Sequence, residues 1–138
     1  MVWVARLGSA LLIETGPCMH LHIVCSPPMD FGDYASKSCL LLNVSTKVPK
    51  CDEACIVVPG EHPFIVDDSF VRYKSACVMS AVELEHKVAK GLFKAQPDAS
   101  VALVRRVLAC MDVSDFAPGG MIKLSSLVWN RCKGDGYW

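Results

Sequence analysis

Residues 55–75, CIVVPGEHPFIVDDSFVRYKS, constrain the fold more than any other part of the chain. An apolar run over 55–58 is stopped by Pro59-Gly60, a second over 64–66 is stopped by Asp67-Asp68, and a third over 70–73 alternates. Short apolar runs cut by turn residues predict strand, turn, strand, tight turn, strand. In the third run Val71 and Tyr73 fall on one face, while Arg72 and Lys74 share the other with Phe70. One face packs and the other carries charge.

The segments before it read the same way. Residues 8–14 predict a first strand, with 2–4 extending it or forming an edge segment, and Thr15-Gly16-Pro17 turns the chain. Residues 18–25 alternate strongly, with Cys18, His20 and His22 on one face and Met19, Leu21 and Ile23 on the other. Residues 26–37, rich in Pro, Asp, Gly and Ser, predict a long loop. The nearly continuous apolar residues 40–44 predict a central strand buried on both faces. A slip of the inward phase near Ser75-Ala76 predicts a bulge before Cys77 and Val78.

Helix then takes over. Ser80 with Glu83 three residues on is a capping box, in which the serine oxygen accepts an orphan amide. It opens a predicted helix over 81–93, broken by Gln96-Pro97-Asp98, and a second follows over 99–111 with a wide apolar face. Pro118-Gly119-Gly120 ends this region; residues 121–129 predict a last short strand or helix, and Tyr137-Trp138 an exposed tail. The chain is therefore expected to be α+β and a single domain over 1–138, with barrel strands over 2–79, helices over 80–112 and a C-terminal extension over 113–138. Strands followed by helices suit a small, bent antiparallel barrel closed on one side.

Lys+Arg and Asp+Glu both total 14, so the formal charge is zero and no global basic field exists to hold nucleic acid. Any such site is a local patch. Low net charge in a chain that is 52% hydrophobic favours self-association, so a homodimer is expected. No apolar run approaches the roughly 20 residues that span a bilayer, and Arg6 and Glu14 interrupt the N-terminal apolar stretch. A cytoplasmic protein without membrane contact is expected, with its eight cysteines reduced, since most lie inside apolar runs.

Four stretches taken in order carry a resemblance: Arg6-Leu7-Gly8-Ser9 with the apolar residues after it, His20-Leu21-His22-Ile23, Leu40-Leu41-Leu42-Asn43-Val44-Ser45-Thr46, and Asp68-Ser69-Phe70-Val71 followed by a helix. Together, over residues 2–93, they resemble the MazF/PemK-like toxins, in a divergent subtype with the run Pro-Gly-Glu-His-Pro-Phe-Ile. The resemblance implies a small antiparallel SH3-like β-barrel with two C-terminal helices. It also implies a toxin-like, metal-independent endoribonuclease acting on single-stranded RNA, with an antitoxin-like protein as partner. Ser9 stands where that family carries an acidic residue, so a catalytically degenerate relative is the other form of the same expectation.

Such cleavage needs a cation for the developing charge and groups to move protons. Arg72 is the expected catalytic cation, with Arg6 and Lys74 binding RNA and Ser45 or Thr46 donating hydrogen bonds at a strand end. His62 and His20 are the expected proton carriers, because imidazole titrates near neutral pH, and the 26–37 loop is expected to gate the groove. The plainer readings are a solvated strand face for Arg72 and Lys74, and a turn-fixing role for His62 beside Pro63. Cys18, His20 and His22, with Cys51 and Cys55, carry soft zinc ligands; the Cys-x-x-x-Cys spacing is looser than a zinc knuckle, and no metal or cofactor is expected. The alternative function is a non-catalytic module that binds a partner protein through an apolar helix or barrel surface.

Overall fold

The computed structural model describes residues 2–32 and 36–138. Its strands are β1 (Ala10–Thr15), β2 (Cys18–Val24), β3 (Ser38–Thr46), β4 (Ile56–Val57), β5 (Ser69–Ser80) and β6 (Lys94–Gln96). They form one antiparallel sheet in the order β4-β5-β3-β2-β1-β6, curled into a half-barrel whose two edges are β4 and β6. The helices are α1 (Ala81–Ala89), α2 (Val101–Ala109) and α3 (Gly119–Gly134). The fold is α+β, with three helices where the expected architecture had two: α3 occupies the C-terminal extension and includes residues 121–129, where a short strand or helix was expected.

The central strand β3 is buried from Ser38 through Ser45, as its unbroken apolar pattern requires. Its even-numbered residues Leu40, Leu42 and Val44 join Leu21, Ile23, Val71 and Tyr73 in the larger core, beneath α2 and α3. Tyr73 is fully buried and donates its hydroxyl to the Val107 carbonyl at 2.6 Å, tying β5 to α2. The odd-numbered Cys39 and Leu41 join Leu11, Val24 and Leu84 in a smaller cluster on the opposite face, beneath α1.

The register of β5 slips where the sequence predicts a bulge. Asn43 pairs with Arg72 and Leu41 with Cys77, so a single residue of β3 faces residues 73–76 of β5. Val71 and Tyr73 enter the larger core in one phase, and Ala76 and Val78 pack against it in the other.

Residues 64–66 form no strand, against expectation. Pro63 has no amide to give a ladder, and the Phe64 amide donates to His62 Nδ1 at 3.0 Å while the Ile65 amide donates to the His62 carbonyl at 3.0 Å. Local bonds replace sheet bonds, leaving a loop.

Helix α1 starts at the expected cap, with Ser80 Oγ accepting the Glu83 amide at 3.0 Å. It stops four residues before the expected end. Gly91 takes φ +75°, its amide donates to the Val88 carbonyl and the Leu92 amide to the Lys87 carbonyl, which together close the helix. The chain that follows forms β6 against β1.

Gly8 is required by close approach. At φ +90° its carbonyl accepts the Ala99 amide at 2.8 Å, and a Cβ there would sit 2.9 Å from the Ala99 oxygen. Of the tail expected to be exposed, Tyr137 is exposed, whereas Trp138 folds back: its ring lies 5.1 Å from that of Trp129 and packs against the larger core. No helix among the described residues is long and apolar enough to cross a membrane.

Candidate functional site

The face of the sheet opposite α2 and α3 is only partly covered by α1, and polar side chains fill the uncovered part. Strand register places His22 beside Asn43 and Asn43 beside Arg72, one row across β2, β3 and β5. These side chains share a face because strand residues alternate. Hydrogen bonds run through the row in one direction. Ser45 Oγ donates to Asn43 Oδ1 at 2.6 Å, Asn43 Nδ2 lies 3.5 Å from His22 Nε2, and His22 Nδ1 lies 3.0 Å from the His20 carbonyl. The carbonyl can only accept, so His22 carries its proton on Nδ1 and accepts from Asn43 on Nε2. Burial pushes the His22 pKa down and the nearby His20 adds to this, against the raising effect of the backbone hydrogen bond. His22 is thus a neutral, buried positioning group.

Two side chains at this row remain available to a ligand. His20 is half-buried and uses Nδ1 to contact Thr15 Oγ1, leaving Nε2 without a hydrogen-bond partner among the described residues. Arg72 is exposed and makes no hydrogen bond or ion pair among the described residues. Arg6, Lys47, Arg106 and Arg131, by contrast, are all held by carboxylates.

His20, Ser45, Thr46 and Arg72 line one cavity of about 750 Å³, together with apolar residues that include Phe64 and Phe70. Asp67 is its acidic residue. Because Ser45 gives its only proton to Asn43, Thr46 is the hydroxyl left to donate to an anion.

The remaining expected site residues lie elsewhere. His62 is 2% exposed; its Nε2 donates to the Pro97 carbonyl at 2.6 Å and its Nδ1 accepts the Phe64 amide, so neither ring nitrogen is left for a substrate. Arg6 binds Asp98 at 2.6 Å at the start of the chain, outside the cavity. Lys74 is exposed within the bulge and does not line this cavity. The described part of the 26–37 loop does not border the groove either: Met29 and Phe31 enter the larger core, and Met29 pairs with Ser38. The middle of that loop, residues 33–35, lies outside the described residues.

Asn43 was not among the expected site residues, and His22 was considered only as a zinc ligand. Asn43 carried a signal, as the one amide within an apolar strand expected to be buried on both faces, since a buried amide needs partners. The eight cysteines are free thiols. Among the described residues no three His, Cys, Asp or Glu side chains are grouped to hold a metal ion, so the Cys18, His20, His22, Cys51 and Cys55 ligands do not converge. Comparison with protein-family models, with curated proteins and with solved structures found no match to this chain.

Proposed function

We propose that the cavity binds single-stranded RNA and that His20 and Arg72 promote its cleavage by transesterification. The observation that carries this reading is the meeting of an unpaired guanidinium, an imidazole with one open nitrogen and a strand-end hydroxyl at one groove. With Nδ1–H donating to Thr15, Nε2 of His20 takes the proton of the ribose 2′-hydroxyl. The 2′-oxygen bonds to phosphorus, the bond from phosphorus to the 5′-oxygen breaks, and the 5′-oxygen takes a proton from water, whose hydroxide then takes back the proton held on His20. The products are a 2′,3′-cyclic phosphate and a 5′-hydroxyl. Arg72 neutralises the charge that builds on the phosphoryl oxygens, and Thr46 donates to one of them.

The test is incubation of the purified protein with an unstructured RNA in the presence of a chelator, beside Arg72→Ala. Cleavage that resists the chelator and drops about 10²–10³-fold in the variant is expected. Intact RNA with folded protein would overturn the catalytic reading. It would favour the second one, an interaction module, for which Val48 (53% exposed), Phe64 (38%) and Val66 (76%) around the same groove provide apolar contact surface.

A further inference from the structure

The groove continues past Arg72. A second cavity of about 610 Å³ lies on the same face of the sheet, and His20 and Arg72 line it as they line the first. The two side chains therefore form a saddle between two hollows, each within the range of roughly 300–1,000 Å³ typical of small-molecule sites. Arg72 is the one Lys or Arg among the residues lining either hollow. Each hollow also holds an aromatic ring with accessible surface, Phe64 in the first and Phe93 in the second. The Phe93 backbone is fixed, because its amide donates to the Lys87 carbonyl in the turn that ends α1, and its ring packs against the smaller core. The second hollow has no acidic residue; Thr15, Asn43 and Ser75 supply its neutral polar groups.

Resting on the RNA reading above, we infer that the two hollows are nucleobase subsites either side of a single phosphate held at Arg72. Phe64 is the stacking platform on one side and Phe93 on the other. One cation between two apolar hollows matches one phosphate between two bases. Stacking on an aromatic ring tolerates any base, so the footprint is two nucleotides with little preference for base identity.

The test measures displacement of a labelled decauridylate, its 2′-hydroxyls methylated to block cleavage, by four competitors: uridine 3′-monophosphate, uridine 5′-monophosphate, and the likewise methylated dinucleotide UpU and corresponding trinucleotide. The wild type is compared with Phe64→Ala, Phe93→Ala and Phe93→Leu. The leucine variant keeps apolar contact with the core should the alanine variant unfold. The dinucleotide is expected to bind about tenfold tighter than either mononucleotide, and the trinucleotide less than about twofold tighter again. Phe64→Ala weakens one mononucleotide and Phe93→Leu the other. A dinucleotide no tighter than the mononucleotides, or both variants weakening the same mononucleotide, would overturn the two-subsite inference while leaving RNA binding in place. Failure of the decauridylate itself to bind folded wild-type protein would remove the RNA reading and this inference with it.

Discussion

On the sheet face beneath α2 and α3, Leu40, Leu42, Val44 and Tyr73 are at most 3% exposed, and the one polar tip among them, the Tyr73 hydroxyl, is bonded to Val107. On the other face the same strands present Asn43, Ser45, His22 and Arg72, and α1 covers only the end around Leu41 and Leu84. Alternation along one strand thus feeds two surfaces with opposite demands. The sealed face gains stability from apolar area. The open face spends hydrogen bonds on holding His22 and Asn43 still, and leaves the Arg72 side chain and His20 Nε2 without partners among the described residues. The contrast separates what folds the chain from what the chain can do.

The largest expected effect comes from damage to the sealed face. Leu42→Ala should cost about 2–5 kcal/mol of stability, measured by urea unfolding, because Leu42 is fully buried. A cost below about 1 kcal/mol would mean that this face is not the main core.

The next effect is a pH dependence specific to the open face. Burial depresses the His22 pKa in the folded state, so between that value and the unfolded value near 6.5 the unfolded chain binds more protons. The His22 contribution is intact above about pH 6.5 and is lost as pH falls from there toward the folded pKa. Unfolding curves across pH 7 to 4 should show this loss, and His22→Gln should flatten it. An unchanged slope in the variant would remove His22 from the account.

Arg72→Ala should have the smallest effect on stability, within about 0.5 kcal/mol, since the guanidinium is exposed and unpaired among the described residues. A larger loss would erase the distinction between the faces and make Arg72 part of the fold.

Much of the frame was legible because periodicity reports burial. The alternation over residues 18–24, the unbroken apolar β3, the phase slip in β5 and the Ser80 cap each record a local physical demand. Other parts were hidden for reasons equally physical. Strand β6, Lys-Ala-Gln, is polar and three residues long, and only its pairing with β1 makes it a strand. Residues 64–66 read as strand because they are apolar, but His62 takes up the amides that a ladder would have used, its Nδ1 accepting from Phe64 and its backbone carbonyl from Ile65. At the groove, His20, Ser45, Thr46 and Arg72 were all named from the sequence, whereas Arg6 and His62 turned out to be engaged elsewhere. Residue type suggested the chemistry for all six, but only tertiary contacts decide which donors and acceptors are already used.

The bulge over residues 73–76 gives β5 an unusual tolerance. In an uninterrupted strand, gaining or losing one residue turns every later side chain to the opposite face. Here the ladder from Ser69 to Arg72 and the ladder from Cys77 to Ser80 are registered separately against β3, with slack between them. A length change at Lys74 or Ser75, the exposed residues of that slack, should be absorbed without turning Arg72 out of the groove or Val71 out of the core. The strand works as two rulers joined at the bulge, so the half that carries Arg72 and the half that leads into α1 are registered independently against β3.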